Sequence, residues 1–421
     1  MGKLALATSE LDHLFRAYRD VRKRIQKSLW PHLAMELSHF EEAPVGALRD
    51  LQARLRTGAY RFSPKPGYAK KKSGGSRRGI TVHGLEDRIV QRAILNLLQS
   101  PKRTIQEQLG ELPRWLDYPM NFAGVPGRGV PEAITMAVTL HNQGAQAYAL
   151  SDIKEFFPNV PRADVVSLIR VNVSDDDFTT LFQAALETEI ANMEDIQPWL
   201  HLFPIGETGI AQGSLLSVVV ANLSLRHFDS RLNQGTLKTI RYLDDFAIFG
   251  PDLLTVKRGF QEAQEELSKF GMTCYEPGDG SQKAFQGLIA RGYDFLGCRI
   301  HPDGIAPGRA SKRKLISEIS ATIRETKTEI QAILAQGTRR RSEAMYLQSL
   351  AQIDRKLRGW GDAYQFVTNR VAFTQIDTAV DRLLGSYASW FHLAISQASP
   401  REKRRALGVA LLADTPARKP R

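Results

Sequence analysis

Tyr242-Leu243-Asp244-Asp245, flanked by Ile240-Arg241 on one side and Phe246-Ala247-Ile248-Phe249 on the other, decides the reading of this 421-residue chain. Apolar runs with two acids between them predict a β-hairpin whose carboxylates sit at the turn. Two half-buried Asp side chains repel one another and lose hydration, so each is driven towards its neutral form unless a cation neutralises the pair. A divalent metal meets that need. An isolated Asp-Asp pair is more often a solvated turn, and the rest of the chain decides against that alternative.

A third acid ends another apolar strand pattern, Ala147-Tyr148-Ala149-Leu150-Ser151-Asp152, followed by Ile153-Lys154-Glu155-Phe156-Phe157-Pro158-Asn159. Alone it reads as a strand terminus with a Pro-Asn turn after it. Between the two acidic segments lies Gly209-Ile210-Ala211-Gln212-Gly213-Ser214, running into the apolar stretch Leu215 to Leu223. That pattern predicts a Gly-containing loop, Ser214 as N-cap and a buried helix; the run Val218-Val219-Val220 would also suit a strand. The order and spacing of the three segments together is what is specific.

With these motifs in place the sequence resembles reverse transcriptases, most of all the bacterial group II intron-like branch and its free-standing, defence-associated members. The resemblance implies that Asp152 and Asp244 hold two Mg2+ ions with Asp245 assisting, that the backbone carbonyl of Ile153 is a further metal contact, and that Gln212 and Gly213 support the incoming nucleotide. Upstream, Lys72-Ser73-Gly74-Gly75-Ser76-Arg77-Arg78-Gly79-Ile80 is similar to the fingers motif in which a Lys and an Arg, here Lys72 and Arg78, hold the triphosphate. Asp87-Arg88-Ile89-Val90-Gln91 follows at the family's offset, and Asn121-Phe122-Ala123-Gly124-Val125-Pro126-Gly127-Arg128 resembles the next fingers motif in weakened form. Phe157, five residues after Asp152, falls where the family sets an aromatic ring against the sugar 2′ position; a plain core Phe is the other reading, and Phe156 is read as core. Lys283 falls where the family often keeps a Lys near the leaving pyrophosphate. Tyr242, with Leu296 and Gly297 of the primer-grip-like Phe295-Leu296-Gly297, is implied to contact nucleic acid. The stretch from Arg355 to Tyr364 is similar to the thumb of intron proteins.

The chemistry explains these residue types. Adding a nucleotide to a primer 3′-OH is an in-line phosphoryl transfer, for which two metals roughly 3.5–4 Å apart clamp the attacking and leaving oxygens. Hard Mg2+ takes carboxylate oxygen, and three Asp leave room for phosphate and water. Lys72 and Arg78 would neutralise the triphosphate, the Arg by bidentate contact.

Charge agrees with a nucleic-acid partner. The net charge of +12 is unevenly placed: residues 61 to 79 hold seven Lys/Arg and no acid, and residues 306 to 421 hold 21 against 10, whereas residues 80 to 305 hold 19 against 28. Basic flanks around an acidic centre suit phosphate-backbone binding, with Lys312-Arg313-Lys314 and Arg339-Arg340-Arg341 as candidate contacts; a merely solubilising surface is the alternative. Two cysteines, Cys274 and Cys298, are too few for a disulfide framework and fit a reduced, cytoplasmic setting, as buried hydrophobes rather than ligands. The nine His show no metal-ligand spacing. No signal-peptide core or membrane-length apolar run is present, so no membrane association is expected.

These readings predict an α+β, right-hand polymerase: a helical N-terminal extension over 1–58, fingers over 59–134, a palm over 135–305 with a helical insertion at about 162–204, and a basic, α-helical thumb and tail over 306–421. Leu11, Leu14 and Phe15 are predicted on one apolar face of the extension, and the thumb is predicted as three helices with Ser342 capping the second. Trp360 and Tyr364 are read as packing. Departures from the family are Leu243 where intron proteins commonly have Ala, Ser217-Val218 in place of the usual Ser-Pro, and no intron-type N-terminal signature or appended nuclease module. The expected activity is RNA-directed DNA synthesis from dNTPs on an RNA template, a cognate non-coding RNA in anti-phage defence, with a DNA product and with a second copy or an accessory defence protein as further partner. The alternatives are a retron-type or CRISPR-associated reverse transcriptase and a non-catalytic RNA-binding or splicing protein; three intact Asp speak against the last, since a pure binder has no need of carboxylates beside an anionic ligand.

Overall fold

The computed structural model describes residues 1–26, 30–71, 75–204, 206–336, 345–407 and 412. It is a mixed helix and sheet structure in two compact units, Met1–Leu288 and Ile289–Arg421. The expected contacts Lys72, Arg339, Arg340 and Arg341, and the expected cap Ser342, lie outside the described residues.

In the first unit four helices, Lys3–Thr8, Leu11–Ile25, Pro31–Glu42 and Pro44–Arg56, precede a two-stranded antiparallel hairpin, β1 (Gly67–Lys71) and β2 (Arg77–Thr81). The Leu11–Ile25 helix buries Leu14, Ala17, Tyr18, Val21 and Ile25 at three- and four-residue spacing, the stripe expected of an amphipathic helix. Phe15 was expected on that face but points outward, 40% exposed. One residue along a helix is a rotation of about 100°, enough to carry its ring out of the Leu14 stripe. Asp175 ties the chain start inward: its carboxylate accepts from the backbone N–H groups of Leu4 (2.7 Å), Ala5 (3.1 Å) and Phe178 (2.9 Å), capping two helices at once.

The central sheet has the order β4-β5-β3-β6, all antiparallel: β3 (Ala147–Asp152), β4 (Lys238–Tyr242), β5 (Asp245–Gly250) and β6 (Phe285–Leu288). β3 and β5 are interior strands and read as continuous apolar runs because both faces are covered. Phe246 and Ile248 pack with Phe228, Val256 and Phe260 in one core with the N-terminal helices. Between β3 and β4 come the helices Arg162–Asn172 and Asp176–Leu186, a 3-10 turn at Gln197–Leu202, and the buried helix Ser217–Ser224. Ser214 was expected to cap that last helix. Its hydroxyl instead accepts from Leu216 N–H at 3.2 Å in a turn, and the helix starts at Ser217.

The second unit carries a three-stranded antiparallel sheet, β7 (Tyr293–Phe295), β8 (Cys298–His301) and β9 (Gly304–Pro307). Three long helices follow, Arg309–Gln336, Met345–Ala363 and Val371–Ser396. They enclose a core of Leu315, Ile319, Ile353, Ile376, Val380 and Tyr387. Trp360 and Tyr364 pack together at 4.7 Å between ring centroids and both reach the Ser311 hydroxyl. Among the described residues no helix is long and apolar enough to cross a membrane. Cys274 and Cys298 are free and buried.

Candidate active site

Strand register builds the site. β4 and β5 are joined by the two residues Leu243 and Asp244, with Tyr242 paired to Asp245 across the hairpin. Such a short loop needs left-handed backbone, and Leu243 takes it, at φ +59°. β5 then runs antiparallel to β3 so that Asp245 lies directly opposite Asp152. The turn is pinned to β3 as well, because Ile153 N–H donates to the Asp244 carbonyl at 3.0 Å.

Two facing carboxylates cannot both ionise cheaply. Burial, then the hydrogen bond and charge of Asp152 and the charge of Asp244, push the Asp245 carboxyl up to about 8. Lys283, from the loop before β6, ion-pairs with Asp152. Burial pulls the Lys283 ammonium down, but its hydrogen bond to Asp152 and the attraction of that charge outweigh this and hold it above the ordinary lysine value. Lys283 also stands 4.6 Å from the ring centre of Tyr275, and Lys154 stands 5.1 Å from the same ring. The structure thus brings together Asp152, Asp244, Asp245 and Lys283.

Among the described residues no three His, Cys, Asp or Glu side chains converge as a ready-made metal cage. A carboxylate pair that binds a proton near neutrality, with a lysine supplying positive charge, is nonetheless a donor set short of cations. It fits a hard divalent ion that completes its coordination with phosphate oxygens and water.

The other expected residues fall around this centre or away from it. Gln212 and Gly213 lie against the end of β2: Thr81 N–H donates to the Gln212 carbonyl at 2.9 Å. Gly213 adopts φ +130°, and a Cβ there would come within 2.1 Å of the Thr81 carbonyl oxygen, so only glycine fits. Arg78 is exposed on β2, in register with Lys70. Phe157 is half-buried against Phe156, ring centroids 5.6 Å apart, and Phe156 itself is buried. Tyr242 is half-buried at the end of β4. In the second unit Leu296 and Gly297 form a left-handed turn, at φ +47° and +77°, between β7 and β8. Lys312 reaches Gln375 at 3.4 Å, Arg313 is exposed, and Lys314 approaches Glu318 at 4.0 Å. Glu155, Leu243 and Leu296 are the non-glycine residues with positive φ among those described, and each lies in a motif singled out by sequence. Backbone strain of this kind concentrates at functional sites.

The family model described as "Reverse transcriptase (RNA-dependent DNA polymerase)" matches residues 69–299, more than half of the chain. The chain belongs to the reverse transcriptase family. It is 26% identical over 196 residues to Protein YkfC of Escherichia coli strain K12, covering 45% of this chain and 46% of YkfC. It is 25% identical over 179 residues to an uncharacterized 91 kDa protein in the cob intron of Schizosaccharomyces pombe, covering 42% of this chain and 19% of that protein. The chain therefore spans less than half the length of these relatives. Among solved structures, apo telomerase from Candida tropicalis, truncated from its C-terminal domain, aligns with TM-score 0.38 at 11% identity, over 58% of this chain and 55% of that one. A partial Cas6-RT-Cas1--Cas2 complex aligns with TM-score 0.33 at 19% identity, over 62% and 42%.

Two further residues stand beside the site of this reverse transcriptase: Tyr275, which sequence reasoning did not single out, and Gln91, which it named only within the Asp87–Gln91 motif and gave no role. Tyr275 presents its ring to Lys154 and Lys283, and its N–H donates to the Asp152 carbonyl at 3.1 Å. It follows the strand-like Met272-Thr273-Cys274, with no local signal that two lysines would meet its ring. Gln91, fully buried, accepts from Leu215 N–H at 3.2 Å and bonds the His83 ring at 3.0 Å. Its place in the Asp87–Gln91 motif and a polar side chain inside the apolar face of the Leu85–Leu98 helix were the available signals.

Proposed function

We propose that the protein is an RNA-directed DNA polymerase that adds dNTPs to a primer end on an RNA template. The observation that carries this reading is the apposition of Asp152 and Asp245 across β3 and β5, with Asp244 in the adjoining turn and Lys283 on Asp152. Asp152, Asp244 and Asp245, with the Ile153 carbonyl, would hold two Mg2+ ions. When bound, these ions neutralise the triphosphate and stabilise the attacking and leaving oxygens of an in-line transfer.

The chain's own residues supply the rest. Lys283 stays protonated and can carry positive charge to the departing pyrophosphate. Arg78 and Lys72 would bind the triphosphate from the 59–134 region, read as fingers; the 135–305 region is read as palm. Gln212 and Gly213 would support the nucleotide, with Gly213 allowing the backbone to approach. Phe157 would close the pocket at the sugar 2′ position. Tyr242, Leu296 and Gly297 are assigned to the primer, and Lys312, Arg313, Lys314 and Arg339 to Arg341, in the thumb-like 306–421 region, to phosphates of the template duplex.

The partner RNA is read as a cognate non-coding RNA and the setting as the bacterial cytoplasm in anti-phage defence, on the sequence resemblance to free-standing defence-associated enzymes. The test has two arms. Purified protein is assayed for dNTP incorporation on a primed RNA, and RNA and cDNA copurifying from cells are sequenced. RNA-templated extension with one dominant copurifying RNA supports the whole reading. Extension without a discrete RNA keeps the polymerase and removes the cognate-RNA assignment, and absence of extension by folded protein overturns the reading.

A further inference from the structure

The Leu243-Asp244 turn is held from below by a buried side chain that carries no metal and touches no substrate in the reading above. Arg241, on β4, is completely buried, as is its partner Asp229 from the Arg226–Arg231 helix. The guanidinium grips the Asp229 carboxylate through Nε and Nη2, both at 2.6 Å. Its remaining nitrogen, Nη1, donates to the Asn222 side-chain oxygen at 3.1 Å and to the Leu243 carbonyl at 3.2 Å. Asn222 passes the connection on, donating to the Ala123 carbonyl at 2.9 Å.

We infer that Arg241 is a positioning residue, whose fork fixes the left-handed Leu243 turn and thereby the placement of Asp244 and Asp245 opposite Asp152. The inference rests on the polymerase reading, which makes those carboxylates the metal ligands. Three points carry it. Leu243 sits at φ +59°, a conformation that a residue with a side chain holds only when its surroundings determine it. Both turn carbonyls are engaged, Leu243 by Arg241 and Asp244 by Ile153 N–H, so the turn is fixed from two sides. Finally, Asn222 belongs to the Ser217–Ser224 helix that follows Gln212-Gly213, so the same guanidinium links the acidic turn to the segment assigned to the nucleotide. A lysine could match the charge of Asp229 but not this planar geometry, since its ammonium is a single point of donation.

The test compares wild type with Arg241→Lys, which leaves Asp229 a cation, and with the double variant Arg241→Met/Asp229→Leu, which removes the buried pair without stranding either charge. Folding is checked by circular dichroism and melting. Backbone amide exchange is followed across residues 240 to 248, Mn2+ affinity is measured by electron paramagnetic resonance, and RNA-templated incorporation is resolved into kcat and KM. The expected result is faster exchange confined to the hairpin, with Mn2+ affinity and kcat each lowered about 10- to 100-fold, the usual cost of losing an outer-shell support, and KM for the primed template unchanged. If the double variant does not fold, Arg241→Lys decides alone. Hairpin protection and Mn2+ affinity equal to wild type in a folded variant would overturn the inference. If wild type itself incorporates no dNTP, the polymerase reading fails, and exchange and Mn2+ affinity still decide the role of Arg241 in holding the turn.

Discussion

Asp152 and Asp245 stand opposite one another across the β3–β5 ladder, hydrogen-bonded through side chains that burial and mutual repulsion keep from ionising together. Lys283 relieves part of that charge deficit from one side. The first prediction follows from the remainder. Mg2+ should raise the melting temperature of the protein, since a ligand that binds only the folded state stabilises it by about 2.7 kcal/mol at a hundredfold excess over Kd. Asp245→Asn should fold normally and lose the Mg2+-dependent shift. A melting temperature that Mg2+ leaves unmoved in wild type would contradict the metal assignment.

Phe157 is half-buried and rests on the buried Phe156, leaving part of its ring open five residues beyond Asp152. Phe157→Ala should raise the use of rNTP relative to dNTP by about 10-fold or more, the scale on which removing bulk changes selection in a pocket. The check is the ratio of kcat/KM values for matched rNTP and dNTP. An unchanged ratio in an active variant would make Phe157 ordinary core.

Gly213 has no room for a side chain, because its backbone at φ +130° passes close to the Thr81 carbonyl. Gly213→Ala should destabilise the protein by about 1–3 kcal/mol through forced backbone strain. It should also raise KM for dNTP, since the Gln212 carbonyl that receives Thr81 N–H would move. Denaturant melts and nucleotide titrations of the variant report the two effects separately.

His83 is buried, and burial, with smaller contributions from Lys65 and Arg88, lowers its imidazole to about 3. The unfolded chain takes up that proton near pH 6.5, the folded one only near 3, so the stability from a neutral His83 is complete above 6.5 and declines as pH falls towards 3. The full loss is on the order of 5 kcal/mol. His83→Gln, which cannot take up the proton, should show a shallower fall of stability between pH 6.5 and 4 in denaturant melts.

What was legible in the sequence was local or carried by motif. The strand patterns at Ala147–Asp152 and Phe246–Phe249 and the long helices declare themselves through period and length, because each pattern is set by neighbours a few residues away. Asp152, Asp244, Asp245 and Lys283 were named from the motifs they resemble, and the antiparallel register puts Asp245 opposite Asp152. Ser214 was misread as a cap because a serine after glycine before an apolar run suits a cap and a turn equally. Phe15 was misread because it stands about 100° round the helix from Leu14, beyond the edge of the stripe that Ala17, Tyr18, Val21 and Ile25 continue. Tyr275, Gln91 and Arg241 went unassigned for another reason. Their partners sit on other elements, some a few residues away and some more than a hundred, and no periodicity announces which lysine, loop amide or carboxylate the fold will bring to them.

The most direct test of the account is primer extension with dNTPs on an RNA template by wild type and by Asp244→Ala/Asp245→Ala. The double change removes mutual repulsion together with the ligands, so the variant should fold as well as wild type by circular dichroism and melting. The account predicts extension by wild type in Mg2+ and none by the variant. Full extension by the folded double variant would contradict it.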